Sequence, residues 1–283
     1  FRTDFSREDN IRYDYWERME FTPEQWEGIA EHVRDEGLVF LSSAFCKPAV
    51  DLLKSIDVPA WKVGSGEYKS EELVSYMADT GLPVLLSTGM STYEEISEMV
   101  ETIEAHDTPY ALFQCTSKYP TQLEDVGLNV LEELSDRFDC PVGLSDHHGT
   151  IYPSLAAISR GVDILEVHIT FDRRMFGPDA AASLTIDELE TVVEMRDAVH
   201  MMNQHPVDKD SMAASLSETR SLFSKSIAPV KELSAGTVLT DELIAPKKPA
   251  TGIPYKEKDK VIGTRLSTDI SPNRLLTWDD INE

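Results

Sequence analysis

The sequence predicts an α/β protein whose parallel strands close into a (β/α)8 barrel, with a small β-rich module after it. First, six short apolar runs each precede a polar loop and a stretch with helical spacing, repeating roughly every 25 residues. Secondly, each run ends in small polar or ionisable side chains. Barrels assemble their sites from that rim, whereas open sheets gather ligands at one switch point. Thirdly, the alternation stops near residue 210.

The predicted elements follow one another as strand and helix. Thr22 and Thr92 are predicted helix N-caps, because each hydroxyl precedes an acidic first turn. The strands are predicted over residues 37–45, 60–66, 83–90, 110–117, 141–147 and 163–170. Upstream of residue 37 the sequence offers a polar lead-in and one helix, so the first two of a barrel's eight strands are missing. We therefore expect an N-terminally shortened chain; as a whole protein it would be an open, inactive barrel.

The sequence divides into two predicted domains. The barrel domain is expected over residues 1–209, and a β-rich domain with Gly and Pro turns over residues 223–283. Between them, residues 210–222 are polar and rich in serine, which predicts a linker.

Composition limits the classes of partner. The 51 acidic and 26 basic side chains give a formal net charge of −25. This charge argues against nucleic acids and anionic membranes, and it makes any anionic ligand depend on a few local cations. The acidic residues are scattered, as in proteins adapted to high salt. No apolar run approaches the roughly 20 residues of a membrane span, and no leader peptide is recognisable.

The cysteines indicate a compartment. Cys46, Cys115 and Cys140 lie in or beside apolar runs and lack the spacing of metal ligands. They are therefore predicted to be reduced thiols of a cytoplasmic protein.

Two predicted strand ends carry histidine, in "GLSDHHGT" and "LEVHIT". Alternate side chains of a strand share a face, so Ser145 points with His147, and Glu166 points with His168 towards the barrel axis. Two imidazoles near Glu166 could bind a divalent metal. The alternative is that both are hydrogen-bonded core histidines. His148 is predicted to be a loop residue.

Lys62 stands inside an otherwise apolar strand, where an ammonium is costly unless it meets an anion. The anion could be a bound phosphate or carboxylate, or a core carboxylate such as Glu67. Ser65 differs from Lys62 in strand parity, so the two converge only if the strand end is irregular. Asp179 lies in "FGPDAAAS", a common type of tight turn.

Seven motifs in order, "KVGSGE", "LLSTGM", "CTSKYPT", "GLSDH", "LEVHIT", "GPDAAAS" and "KKPATGI", resemble the sialic acid synthase family, from about Tyr15 to the end. These are the N-acetylneuraminate synthases and their legionaminate and pseudaminate relatives. The resemblance implies a TIM barrel followed by an antifreeze-like SAF domain of β-clip type. It also implies condensation of phosphoenolpyruvate with an open-chain N-acetylated hexosamine aldehyde, which releases phosphate and makes a nine-carbon 2-keto acid.

The resemblance also implies roles for particular residues. His147 and His168 would hold a divalent cation, Mn²⁺ or Mg²⁺, that polarises the aldehyde oxygen. The implied phosphoenolpyruvate-binding residues are Ser43, Lys62, Ser65, Ser117 and Ser145. The implied catalytic residues are Glu166, Lys62 and Asp179, and the implied sugar-binding residues are Tyr119, Asp179 and Lys248.

The chain departs from the family pattern at three places. The family's opening motifs are absent, Lys248 replaces an arginine and so loses the planar guanidinium fork, and His148 stands where threonine is common. We expect a synthase that uses N-acetylmannosamine, as a domain-swapped homodimer in which each SAF domain covers the partner's barrel mouth. The alternatives are a synthase for a 2,4-diacetamido hexose and an inactive sugar-binding homologue.

Overall fold

The computed structural model describes residues 11–282, and the first ten residues of the polar lead-in lie outside that range. The chain forms two compact units, Phe1–Gln204 and His205–Glu283. Each unit has its own apolar core.

A five-stranded parallel sheet forms the centre of the first unit. Each strand pairs with its sequence neighbour in the order β1-β2-β3-β4-β5, and the sheet makes half of a barrel. This confirms the predicted α/β barrel class and five of the six predicted strands. The strands are β1 (Trp61–Val63), β2 (Val84–Ser87), β3 (Tyr110–Cys115), β4 (Val142–Asp146) and β5 (Ile164–Val167).

The predicted strand over residues 37–45 is not formed. Its contribution to the sheet is an isolated parallel bridge between Ser43 and Lys62. Within residues 11–282 no further strand pairs with its outer side, and Leu38 and Val39 stay 65% and 70% exposed. An apolar run without a hydrogen-bonding neighbour on that side lacks the backbone partners that define a strand.

Helices follow the strands of the first unit and cover one face of the sheet. Thr22 and Thr92 both form capping boxes, which confirms the two predicted helix starts. Two helices, and not the one predicted, precede residue 37. The helices are α1 (Arg12–Met19), α2 (Pro23–Asp35), α3 (Lys47–Ser55), α4 (Glu71–Ala78), α5 (Tyr93–Glu104), α6 (Leu128–Arg137), α7 (Tyr152–Ser159) and α8 (Ile186–Gln204).

The apolar face of the sheet packs on these helices. Trp61 and Leu112 are fully buried in this core, and the Trp61 indole donates a 2.8 Å hydrogen bond to Thr80 Oγ1. On the opposite face the strands approach closely at Gly143, where a Cβ would lie 2.6 Å from the carbonyl oxygen of Ile164. The helix-covered face is mainly apolar, although Asp146 also lies there and accepts a hydrogen bond from Ser154 on α7.

The second unit contains short elements around a small apolar core that includes Ile227, Leu239 and Leu266. The strands β6 and β7 pair antiparallel, as do β8 and β9. The predicted linker over residues 210–222 is largely helical. The elements are α9 (Lys209–Ser215), α10 (Ser217–Phe223), β6 (Ser226–Pro229), β7 (Ile244–Lys247), α11 (Lys258–Val261), β8 (Arg265–Leu266) and β9 (Ile281–Asn282).

A search of the described helices for a membrane span finds none that is both long enough and apolar enough.

The three thiols differ in environment, which predicts their reactivity. Cys46 is exposed, whereas Cys115 is buried and Cys140 is half-buried. Burial raises the pKa of Cys115 and raises the pKa of Cys140 to about 11. Because the thiolate is the reactive form, Ellman's reagent at pH 8 should modify one thiol rapidly in the native protein and all three in guanidinium chloride. The rapid phase should vanish in Cys46→Ser, and its persistence there would contradict the burial described.

Candidate active site

The candidate site lies on the inner face of the parallel sheet, at the carboxyl ends of its strands. Parallel pairing in register brings equivalent side chains from neighbouring strands to one edge. The polar and ionisable side chains at this edge are Lys62 on β1, Ser87 on β2, Cys115 on β3, Ser145 on β4 and Glu166 on β5.

The Lys62 ammonium is held between a hydroxyl and a carboxylate. Its Nζ donates to Ser87 Oγ at 2.7 Å and lies 3.3 Å from Glu166 Oε2. The Lys62 side chain is 15% exposed and that of Glu166 is 36% exposed. The alternative of a protein carboxylate as the partner of Lys62 is therefore met, but by Glu166 and not by Glu67, whose carboxylate accepts a hydrogen bond from Ser70. Lys62 is thus a cation turned inward, as the apolar pattern around it requires.

Glu166 connects this ammonium to the histidines. Its Oε1 accepts a hydrogen bond from Ser145 Oγ at 3.2 Å, and the same hydroxyl lies 3.3 Å from His147 Nε2. A continuous polar path therefore runs from Lys62 through Glu166 and Ser145 to His147. The shared face of Ser145 and His147 agrees with strand parity.

A cradle of small polar groups surrounds the backbone of Gly89. Ser65 Oγ accepts from Gly89 N at 3.1 Å and lies 2.9 Å from Cys115 Sγ. A Cβ on Gly89 would come within 2.4 Å of Cys115 Sγ and 2.7 Å of Ser117 Oγ. Ser65 reaches this point because a 3₁₀ turn, Ser65–Glu67, follows β1. The irregular strand end that the sequence argument needed is present.

The two candidate imidazoles contact each other edge to face. The His147 and His168 rings are perpendicular, with centroids 5.2 Å apart. His147 Nδ1 lies 2.9 Å from the carbonyl oxygen of Thr116, which can only accept, so Nδ1 carries the proton and Nε2 keeps its lone pair. Burial lowers the pKa of His147. The neutral imidazole with a free Nε2 is therefore favoured.

Tyr119 and Asp179 complete the rim beside these rings. The Tyr119 ring stacks on His147 with centroids 4.2 Å apart, and its Oη lies 3.4 Å from His147 Nε2. Asp179 Oδ2 lies 3.6 Å from His168 Nδ1. Burial raises the pKa of Tyr119 to about 12, helped by the nearby Cys115 and Asp179. The phenol thus stays protonated and can donate a hydrogen bond.

The two imidazoles could supply a divalent cation with a pair of nitrogen ligands. The Thr116 carbonyl orients the His147 ring in the way that protein groups commonly orient metal-ligating histidines. Within residues 11–282 no group of three His, Cys, Asp or Glu side chains is arranged to hold a metal. A cation here would have two protein ligands, one fewer than catalytic zinc sites usually have, and would take its other ligands from water or substrate.

Two further predicted site residues make other contacts. Ser43 is half-buried and bridges to Lys62 through the backbone at the end of the sheet. Lys248 belongs to the second unit, where its Nζ lies 4.7 Å from the Phe223 ring centroid.

Three residues at the site received no role from the sequence, although Ser87 and Thr116 stand among the polar groups at the predicted strand ends. Ser87 could have been found from strand register, since it follows a buried run and lies on the inner face. Gly89 and Thr116 act through the backbone, for which a side-chain pattern carries no signal.

A cavity of about 730 Å³ lies between β5 and α8 and is lined mostly by apolar side chains such as Leu165 and Val192. The candidate site residues do not line this cavity.

Comparison with known proteins gives consistent matches. The model of the NeuB family matches residues 1–207, and the SAF domain model matches residues 224–282. The chain is 30% identical over 284 residues to the N,N'-diacetyllegionaminic acid synthase of Legionella pneumophila, covering 97% of this chain and 78% of that protein. It is 30% identical over 261 residues to a pseudaminic acid synthase of Campylobacter jejuni (strain 81-176), covering 91% and 75%. The solved N-acetylneuraminic acid (sialic acid) synthetase of Leptospira borgpetersenii, in complex with citrate, superposes with a TM-score of 0.66 at 28% identity and covers 72% of each chain.

The Lys62–Glu166 pair should show energetic coupling in a double-mutant cycle. Lys62→Met or Glu166→Gln alone leaves one partner without its counter-charge and should cost about 1–3 kcal/mol in free energy of unfolding. The double variant should cost less than the sum, and urea unfolding measures all three. The exposed pair Lys118–Asp125, 2.7 Å apart, is the matched control and should couple by less than about 1 kcal/mol. Additive costs at Lys62 and Glu166 would show that the pair does not interact.

Proposed function

The chain belongs to the NeuB family, the synthases of sialic, legionaminic and pseudaminic acids, which condense phosphoenolpyruvate with sugars, and we propose that it is such a synthase. Its proposed reaction joins phosphoenolpyruvate to the open-chain aldehyde of N-acetylmannosamine and, with water, gives N-acetylneuraminate and phosphate. Lys62, an inward cation at the strand ends, is the observation that carries this proposal.

An anionic substrate needs such a group in this protein. With a formal net charge of −25, the molecule repels phosphoenolpyruvate at long range, so binding depends on local cations and hydrogen-bond donors. Lys62 supplies the charge, the Ser87 hydroxyl contacts its ammonium, and the hydroxyls of Ser65 and Ser117 line the adjacent cradle at Gly89. In the proposal, the phosphate and carboxylate are bound by Lys62 with Ser43, Ser65, Ser87, Ser117 and Ser145.

The remaining rim residues suit the reacting centre. In the proposed reaction C3 of the enolpyruvate bonds to the aldehyde carbon, whose oxygen takes up a proton, and water adds at C2. The bond from C2 to the bridging oxygen then breaks, phosphate leaves with the electron pair, and the C2 hydroxyl passes its proton to the departing phosphate as it becomes the keto group. In the proposal Glu166, which contacts both Lys62 and Ser145, accepts the proton of the water. Tyr119 and Asp179 are the proposed contacts to the sugar hydroxyls.

A divalent cation, Mn²⁺ or Mg²⁺, is part of the proposal. His147 and His168 would hold it, and when bound it would polarise the aldehyde oxygen. The contribution of the chain is to keep His147 Nε2 unprotonated, which follows from the lowered pKa and from the hydrogen bond of Nδ1 to Thr116.

The amino sugar has a second candidate. A 2,4-diacetamido hexose would make the chain a legionaminate or pseudaminate synthase, and the relatives with those names support this alternative. Lys248 in the SAF domain is the proposed contact to the sugar's N-acyl group, where a lysine makes fewer directed hydrogen bonds than an arginine. The proposal further includes a homodimer and, from the three free cysteines, a cytoplasmic location.

Phosphate release tests the proposed function. The full natural chain should release phosphate from phosphoenolpyruvate when Mn²⁺ or Mg²⁺ is present together with one N-acylated amino sugar from a panel. The panel contains N-acetylmannosamine and 2,4-diacetamido hexoses, and mass spectrometry of the 2-keto acid identifies the product. Chelation should abolish release and added Mn²⁺ should restore it. Absence of release with every sugar would leave a sugar-binding homologue and defeat the synthase proposal.

The histidine roles have a matched control on α8. His168→Ala should abolish metal-dependent phosphate release, because it removes one of the two proposed nitrogen ligands. His200→Ala should leave release unchanged, because His200 is exposed on α8 and its side chain bonds Gln204. Both variants should keep the wild-type circular dichroism spectrum. Equal turnover in His168→Ala and wild type would exclude the ligand role.

A further inference from the structure

We propose that His148, which neighbours His147 along the chain, is a positioning residue. Its side chain anchors the loop of residues 116–121, and this loop fixes the orientation and tautomer of the His147 ring. The inference rests on the proposed function, because it assigns a task to His147. It concerns a residue that the sequence argument left as a loop position without a role.

The His148 side chain is directed at the loop. Its Nδ1 lies 2.6 Å from the carbonyl oxygen of Thr121. A carbonyl oxygen can only accept, so Nδ1 carries the proton and donates it. This hydrogen bond ties the end of the loop after β3 to the end of β4.

The backbone of His148 is itself held from the opposite side. Its N–H donates to Asp146 Oδ1 at 2.9 Å, and Asp146 Oδ2 accepts from Ser154 Oγ at 2.9 Å. Asp146 is 5% exposed and Ser154 on α7 is fully buried. A buried, satisfied carboxylate is a rigid support, because loss of either donor leaves it partly unpaired. His148 therefore reaches the loop from an anchored position.

Thr121 is hydrogen-bonded both to the end of β4 and to two other residues of the loop. Its N–H donates to the His147 carbonyl oxygen at 2.9 Å, and its Oγ1 lies 3.1 Å from the carbonyl of Thr116 and 2.8 Å from that of Lys118. Thr121 is 3% exposed. The hydroxyl thus fixes the curvature of the loop between its two ends.

The loop contacts the His147 ring at two places. The Thr116 carbonyl accepts from Nδ1 at 2.9 Å, and the Tyr119 ring stacks on one face. Together these contacts leave Nε2 directed at the site and unprotonated. Outer groups that orient a ligating histidine in this way typically contribute 10–100-fold to metal affinity or activity. His148 acts one step further out, through the loop.

Two substitutions distinguish the effect of the His148–Thr121 hydrogen bond from the effect of losing the imidazole ring. His148→Ala removes the donor to Thr121, and kcat should fall about tenfold or more. The KM for phosphoenolpyruvate should change less than kcat, because Lys62 and four of the five proposed binding serines lie outside the loop, which carries Ser117 alone of that set. In His148→Asn the amide N–H occupies the place of Nδ1–H, so kcat should recover most of the loss. His106→Ala is the matched control, since it removes a partly buried histidine that bonds Ser75 at 2.8 Å.

A second readout does not depend on turnover. Long-range ¹H–¹⁵N spectra of histidine-labelled protein report the tautomer of each ring, and His147→Gln assigns the relevant signal. Wild type and His148→Asn should show His147 as the Nδ1–H form, and His148→Ala should show a mixture with the Nε2–H form. This result holds whether or not the wild type turns over, so failure of the proposed function and failure of this inference are distinguishable.

Two outcomes would overturn the inference. One is an unchanged His147 tautomer and unchanged kcat in His148→Ala. The other is a loss that His148→Asn does not recover. If His148→Ala fails to fold, Thr121→Val replaces it as the test, because it removes the hydroxyl contacts to Thr116 and Lys118 and should produce the same tautomer mixture. An unmixed His147 signal in Thr121→Val would then contradict the positioning role.

Discussion

Parallel, in-register pairing of β1 to β5 is the constraint on which the site depends. Parallel strands carry their carboxyl ends to one edge, and register sets which side chains stand next to one another there. Ser145 pairs with Cys115 on one side and with Glu166 on the other, so three chemically active side chains meet without any long-range loop. Helices that cover the opposite face bury Trp61 and Leu112, while the Lys62–Glu166 pair lies on the inner face.

Among these polar side chains, Lys62 says most about the ligand, because it carries a positive charge. A lysine on an inner face costs free energy unless an anion meets it, and here Glu166 and the Ser87 hydroxyl meet it. The pair is incompletely buried, which leaves the ammonium accessible to a second anion. In a chain with a formal net charge of −25, this local cation reconciles an acidic surface with the anionic substrate of the proposed reaction.

Much of this arrangement could be predicted from the sequence, for identifiable reasons. Period-two alternation placed Ser145 with His147 and Glu166 with His168, and hydroxyls before acidic turns located the caps at Thr22 and Thr92. The partner of Lys62 could not be predicted, because it depends on how β5 curls towards β1. The strand over residues 37–45 was overpredicted because an apolar run does not reveal whether a neighbour exists. The helices α9 and α10 were missed in a serine-rich segment, although Asp208 caps the first of them.

The central claim is that the Lys62 ammonium at the strand ends binds the anionic groups of phosphoenolpyruvate. Calorimetric titration of phosphoenolpyruvate into wild type, Lys62→Met and Lys69→Met tests it most directly, because binding is measured without turnover or a sugar. Lys69 is 71% exposed and lies 3.7 Å from Glu95, away from the described rim contacts. Lys62→Met should lose at least about tenfold in affinity, roughly 1.4 kcal/mol, while Lys69→Met should bind like wild type. Equal affinity of wild type and Lys62→Met would contradict it.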